Sequence, residues 1–395
     1  MNNRDNKRLL FLFSDTGGGH RSTASAVAQT LRDLHGERAQ IELVDALADY
    51  APWPFNRLGR IYPAMVRLGG WGWAVGYHLS DGPERVKLLT AVCWPLVRTG
   101  LRRLLCDHPA DLVVSFHPLF NHLLLRALEE KLPLVTLVTD LNTAHAFWTA
   151  PGVALCLAPT ERVRQCALAY KLPAERVRVT GLPVSPVFVA AAQEDRLAVR
   201  RRLGLVPDLP VALVVNGAEG MGAVRGLCRA IAGSSVPVQL VVVAGRNERL
   251  RDGLRSEAWP SPVRVEGFVD NMHEWMRAAD LLVTKAGPST ISEALVVGLP
   301  LVLSGALPGQ ERPSVDYVVR AGAGVWAPTP GQAAAAVREL LAPGSRRLAQ
   351  MAACARLLAQ PDAARRVAEI VWAAVTCRSS LAIGESPALA PAPRR

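Results

Sequence analysis

Short apolar runs of four to six residues recur along this chain, each followed by a turn and a stretch with helical spacing. A strand that is apolar on both faces must be covered on both faces, and a parallel sheet between two helical layers does this. The first series runs 9–13, 41–45, 112–115, 134–139 and 153–158, with a helix expected over 22–34. Gly181, Leu182, Pro183, Val184, Ser185 and Pro186 then break the pattern. It restarts at 211–216 and continues at 240–244, 263–266, 281–284 and 301–304. At 395 residues the chain is longer than one core usually organises. The reading is an α/β protein of two doubly wound parallel-sheet domains facing a cleft, 1–186 and 187–361, with a disordered tail at 379–395.

Composition narrows the partners. Lys and Arg outnumber Asp and Glu, 45 against 34, and the formal charge of +11 draws the protein toward polyanions. Nucleic-acid signatures are missing: there is no RNP-like aromatic strand, no zinc-finger spacing and no basic region leading into heptads. An anionic membrane is the better expectation. Seven cysteines are scattered without a CxxC pair, which suggests neither a zinc site nor a disulfide framework and fits the cytoplasm. The polar start followed by a five-residue apolar run does not read as a signal peptide. No apolar stretch reaches the roughly 18 to 20 residues of a spanning helix, so attachment is expected to be peripheral, at the cytoplasmic face.

The stretch 53–103 is the candidate contact. Trp53, Phe55, Tyr62, Trp71, Trp73, Tyr77 and Trp94 alternate there with Arg57, Arg60, Arg67, Arg85, Lys87, Arg98, Arg102 and Arg103. Aromatic rings beside cations suit a surface that sits among headgroups, and Trp53, Phe55, Trp71 and Trp73 are the expected membrane-facing residues. The alternative is an aromatic-rich core insertion with a solvated basic face.

Four turns follow strands and open helices or loops. Ser14, Asp15, Thr16, Gly17, Gly18, Gly19 and His20 form the first; its glycines admit a ligand to the backbone, and His20 can take a proton from a hydroxyl. A structural, helix-capping histidine is the competing account. The spacing does not match a dinucleotide GxGxxG, which argues against a nicotinamide enzyme. The second, Asn216, Gly217, Ala218, Glu219, Gly220, Met221 and Gly222, offers amides to a diphosphate. The third, Thr284, Lys285, Ala286, Gly287, Pro288, Ser289 and Thr290, opens a helix carrying Glu293, whose carboxylate can bind ribose hydroxyls or merely compensate the helix dipole. The fourth, Pro308, Gly309, Gln310 and Glu311, offers the mixed donors and acceptors that sugar hydroxyls need, though such a pair is commonly solvated surface. No DxD-type pair follows a strand, so charge leaving on a nucleotide diphosphate would be met by loop amides, helix N-termini and Arg246 or Lys285, without a metal or cofactor.

In this order the elements resemble the monogalactosyldiacylglycerol synthase family, related to the peptidoglycan N-acetylglucosaminyltransferase and to processive diacylglycerol glucosyltransferases. The strings that carry the resemblance are SDTGGGHR from Ser14, VTDL from Val138, GLPV from Gly181, EGMG from Glu219, GRN from Gly245, GFV from Gly267, TKAGP from Thr284 and GQE from Gly309. It spans about 9–324 and implies a GT-B fold with a final helix, 362–378, crossing back to the first domain. It implies metal-independent, inverting transfer of a hexose, galactose favoured, from a UDP-sugar to diacylglycerol. His20 then falls at the base. Gly217, Glu219, Gly220, Met221, Gly222, Arg246, Phe268, Val269, Lys285, Gly287, Pro288, Ser289, Thr290, Glu293, Gln310 and Glu311 fall on the donor side, and Gly18, Gly19, Asp140 and Trp148 on the acceptor side. The chain departs from the family at Asn216 to Ala218, where glycines are usual, at Ser289 for glycine, and at Arg312 to Val315, which lack a Gly-Asn; these bear on the choice of galactose or glucose.

Two other readings remain open. Transfer to a polyprenyl-diphosphate acceptor would call for a cluster binding a diphosphate headgroup. An inert nucleotide- or lipid-binding module would have no use for His20, Glu293, Gln310 and Glu311 together.

Overall fold

A computed structural model describes residues 6–15, 18–57, 59, 71–129, 131–218, 220, 223–234 and 236–377. Among the described residues twelve strands form two six-stranded sheets, parallel throughout. The first is ordered β2-β1-β3-β4-β5-β6 and the second β12-β11-β10-β7-β8-β9, with β1 at Lys7–Phe13, β2 at Ala39–Asp45, β3 at Leu112–Ser115, β4 at Leu134–Leu137, β5 at Leu155–Ala158, β6 at Val177–Val179, β7 at Val211–Val215, β8 at Gln239–Val243, β9 at Val263–Glu266, β10 at Leu281–Lys285, β11 at Leu301–Gly305 and β12 at Gly324–Trp326.

Residue alternation explains the unbroken apolar runs. Leu9, Phe11 and Phe13 enter one core while Leu10 and Leu12 enter another on the opposite face; Val211, Leu213 and Val215 are likewise set against Ala212 and Val214. The first of these cores is continuous across both sheets, joining Phe11 and Val27 to Leu303 and Val371, so the two halves share a hydrophobic interior.

Helix α1, Gly19–His35, follows the turn after β1 and begins three residues earlier than the apolar spacing predicts. Helices α2, Trp71–Ser80, and α3, Pro83–Asp107, occupy the aromatic and basic stretch. In the second half, α4, Pro288–Val297, follows β10. The last described helix, α5, Ala363–Thr376, packs back on α1: Trp372 stacks on His35 at 3.9 Å, and Arg38 lies over its ring. Gly181 sits at the crossing with φ +82°, where a Cβ would fall 2.7 Å from that of Gln360 and 2.9 Å from that of Ala363. Only glycine serves there. The tail at 379–395 lies outside the described residues.

Each sheet reverses its strand order once, between β1 and β3 in the first and between β7 and β10 in the second. In open parallel sheets, ligands bind outside the carboxyl ends of the strands at such a reversal. Here the two reversals face one another.

Candidate active site

The loops leaving β1, β4, β7, β8, β9, β10 and β11 enclose one cavity of about 800 Å³, within the range of small-molecule sites. Its first wall is built on the turn after β1. His20 stands one residue into α1, and its Nδ1 is 2.9 Å from the hydroxyl of Thr139, just beyond β4. The His117 ring meets it edge-on at 4.7 Å, and Trp148 lies 6.3 Å away. Burial lowers the imidazole pKa to about 4, with the Phe116 carbonyl and the Asp15 charge acting against the shift. The ring is therefore neutral at physiological pH, with a lone pair on one nitrogen.

Asp140 forms the adjacent part of this wall. Trp148 Nε1 donates to its Oδ2 at 2.7 Å, and Gln310 Nε2 donates to its Oδ1 at 2.9 Å from the other half of the molecule. Burial raises this carboxyl to about 6 despite both hydrogen bonds, and the nearby Glu311 charge acts in the same direction.

The second wall is a set of loops locked against each other. Asn216 Oδ1 accepts from the backbone N–H of Lys285 at 3.0 Å, tying the end of β7 to the end of β10. The loop after β8 runs so close to Ala218 that a Cβ on Gly245 would lie 2.1 Å from the Ala218 carbonyl oxygen. Gly245, at φ +61°, permits that approach, and the Arg246 N–H donates to the same carbonyl at 2.8 Å. This sets the Arg246 guanidinium over the Phe268 ring and 3.9 Å from Asp15, across the cleft. Lys285 Nζ is ion-paired with Glu311, whose other oxygen accepts from Leu307 N–H at 2.8 Å. Glu293 projects from α4 with Ser22 Oγ 3.5 Å from its Oε1; burial pushes its carboxyl up to about 8, so it is an uncharged acid at neutral pH.

The cavity thus brings together Gly18, Gly19, His20, Asp140, Gly217, Arg246, Phe268, Val269, Lys285, Gly287, Pro288, Ser289, Thr290, Glu293, Gln310 and Glu311. Gly220 lies behind the wall, where its Cβ position is 2.4 Å from the Ala244 carbonyl oxygen, and Trp148 is fully buried behind Asp140. Glu219, Met221 and Gly222 lie outside the described residues. Asp15, Ser22, Thr139 and Asp270 line the cavity without having been singled out. The VTDL string contains Thr139, but only the placement of β4 near β1 shows that its hydroxyl meets His20. Among the described residues no group of three or more His, Cys, Asp or Glu could hold a metal ion.

Of the residues expected at a membrane, Trp53 is 74% exposed, Phe55 is half-buried at the edge of a small apolar groove, and Trp73 is half-buried in α2. The backbone of Trp71 begins α2, but its side chain lies outside the description. The larger exposed apolar face is aliphatic. Leu88, Val92 and Leu96 repeat at four-residue spacing on α3, and Val75 and Leu79 add to it from α2. Arg85, Lys87, Arg98, Arg102 and Arg103 on the same helix are exposed. No helix among the described residues is long and apolar enough to cross a membrane.

Comparison with known proteins agrees with this geometry. Residues 20–184 match the family model for monogalactosyldiacylglycerol (MGDG) synthase, and residues 223–367 match the glycosyltransferase family 28 C-terminal domain. A probable monogalactosyldiacylglycerol synthase of Glycine max is 38% identical over 389 residues, covering 95% of this chain and 73% of that protein. Monogalactosyldiacylglycerol synthase 1 of Arabidopsis thaliana is 35% identical over 389 residues, covering 95% and 72%. Both are named as chloroplastic. Among solved structures, S. aureus MnaA with UDP superposes with a TM-score of 0.61 at 14% identity, covering 96% of this chain and 99% of that one. Acinetobacter baumannii MurG does so with 0.58 at 17%, covering 92% and 99%. These two share the GT-B fold of paired doubly wound sheets.

Proposed function

The chain belongs to the monogalactosyldiacylglycerol synthase family, and from that premise we propose that it transfers galactose from UDP-galactose to the free hydroxyl of a 1,2-diacylglycerol. The observation that carries this reading is the placement of His20 on one wall of a single cavity, opposite Arg246, Lys285 and the N-terminus of α4 on the other.

The neutral imidazole of His20 takes the proton of the acceptor hydroxyl as its oxygen attacks the anomeric carbon. The leaving diphosphate lies against the second wall, so attack and departure occur on opposite faces of the sugar and the product is β-linked. Charge developing on UDP is met by the amides opening α4, by Lys285 and by Arg246, and the transfer needs no divalent cation. A bound diphosphate also opposes the effect of burial on His20, because a nearby anion favours the imidazolium. Glu293 faces the ribose as a neutral acid that both donates and accepts, while Gln310 and Glu311 face the sugar hydroxyls.

The enzyme acts peripherally, with Leu88, Val92 and Leu96 in the acyl boundary and the arginines of α3 among anionic headgroups. We place it at the cytoplasmic face of the membrane, whereas the names of the relatives place those proteins in chloroplasts.

The test supplies diacylglycerol in anionic vesicles with UDP-galactose or UDP-glucose and identifies the lipid product by mass spectrometry and anomeric NMR. A β-galactosyl lipid that disappears with His20→Ala supports the proposal. A glucosyl product would change the donor, and no glycolipid from either donor by a UDP-binding protein would reject the acceptor.

A further inference from the structure

A second cavity, of opposite chemistry, lies behind the first wall. About 100 Å³ is enclosed between the helix Ala46–Tyr50, α3 and the turns at Phe120 and Phe147. Tyr50, Leu89, Cys93, Val97, Phe120 and Phe147 present carbon to it. An apolar cavity of about 150 Å³ takes a benzene molecule, so this one has room for a few methylenes. One buried polar atom interrupts the lining: Thr90 Oγ1 is shut off from solvent and has no hydrogen-bond partner among the described residues. Buried hydroxyls are ordinarily paired, and this one is placed to donate to an incoming carbonyl oxygen.

The groove connects two surfaces that matter to the reaction. At its outer end Leu89 is 37% exposed and adjoins Leu88, which with Val92 and Leu96 forms the apolar face of α3. At its inner end the Phe120 ring is 5.2 Å from His117, which is 4.7 Å from His20. Phe147 lines the groove while its neighbour Trp148 faces His20. The rings of Phe120 and His117 therefore stand between the groove and His20.

We infer that this groove holds the first methylenes of one acyl chain of the acceptor, with Thr90 donating to the ester carbonyl oxygen. The inference rests on diacylglycerol being the acceptor. A peptide does not suit the groove, because a buried backbone brings several donors and acceptors and the described lining offers one unpaired hydroxyl, the Tyr50 hydroxyl being bonded to Asp107 and His108. Bilayer and groove are equally apolar, so the groove gains little affinity; it holds the lipid in one orientation beside the wall that carries His20.

The experiment uses the full chain and diacylglycerol carrying a diazirine near the ester of one acyl chain, irradiated in vesicles and mapped by peptide mass spectrometry. Label is expected on 89–97 and 119–123, reduced at least tenfold by Cys93→Phe, with UDP binding by calorimetry unchanged as the test of folding. The nearly isosteric Thr90→Val is expected to raise KM for diacylglycerol about three- to tenfold and leave KM for UDP-galactose unaltered. Label elsewhere, label undiminished by Cys93→Phe, or cross-links joining two protein copies would each overturn the groove. Glycolipid formation is scored separately: product with label elsewhere leaves the acceptor standing without the groove, whereas groove label without product leaves a lipid site and rejects the reaction.

Discussion

Gln310 and Asp140, 170 residues apart, meet across the cleft through a 2.9 Å hydrogen bond. The bond fastens the loop expected to read the sugar to the wall that carries His20, the proposed base. Gln310→Ala removes the donor and leaves a buried carboxyl with Trp148 as its remaining partner, a loss of about 1.5 to 3 kcal/mol for a bond to a charged group. Catalytic efficiency is expected to fall roughly ten- to a hundredfold, in line with that range, while UDP affinity changes little. Steady-state kinetics with isothermal titration of UDP measures both; wild-type efficiency in Gln310→Ala would reduce the contact to packing.

The sheets were legible because strands buried on both faces spell continuous apolar runs. Val177–Val179 and Gly324–Trp326 escaped notice because they are three-residue edge strands, partly exposed, with Arg178 interrupting one. The glycine turns identified most of the cavity lining, since phosphate-binding loops have a local signature. Thr139 and Asp15 sit inside strings the sequence does display, but no role could be read for them: their nearness to His20 and Arg246 depends on β4 lying two strands from β1 and on the cleft being closed. The aliphatic face of α3 was written in the sequence at four-residue spacing, but the tryptophans around it gave the stronger cue. Trp148, placed on the acceptor side by resemblance, acts from behind the wall as the donor that holds Asp140.

Glu293 makes stability depend on pH. Its carboxyl is raised from 4.5 to about 8, so between those values the native state holds a proton that the unfolded chain has lost. Stability therefore falls as pH rises through this window, by on the order of 3 to 5 kcal/mol in total, and the decline ends once the native carboxyl ionises. Glu293→Gln removes the dependence. Thermal melts at pH 5.5 and pH 9 are expected to show the variant gaining on wild type at the higher pH; parallel curves would mean that Glu293 is already ionised in the native state.

The membrane face predicts two separable effects. Introducing Leu88→Glu together with Val92→Glu places charges where side chains are already 66% and 63% exposed, so folding and UDP binding should be retained. Binding to anionic vesicles in a flotation assay is expected to drop at least tenfold. Raising salt from about 0.1 M to 1 M shortens screening from about 10 Å to about 3 Å and should weaken wild-type binding as well. Salt-insensitive binding would remove the arginines from the account and leave the apolar contact alone.

His20 has the opposite sign to Glu293. Its pKa is lowered from 6.5 to about 4, so the unfolded chain binds a proton before the native one does. The neutral ring contributes on the order of 3 kcal/mol of stability, present above pH 6.5 and lost as pH falls toward 4. Catalysis should follow the same group: kcat/KM reports the free enzyme, and its limb from His20 is expected near pH 4. Asp140 titrates at about 6, so the profile is best taken in wild type and Asp140→Asn, and an inflection that survives the substitution near 6.5 would contradict a buried neutral base. His20→Ala is expected to lower kcat by about 10²- to 10⁴-fold with UDP affinity retained, the range of a lost general base. A smaller loss would pass that role to Asp140, a second titratable group on the same wall.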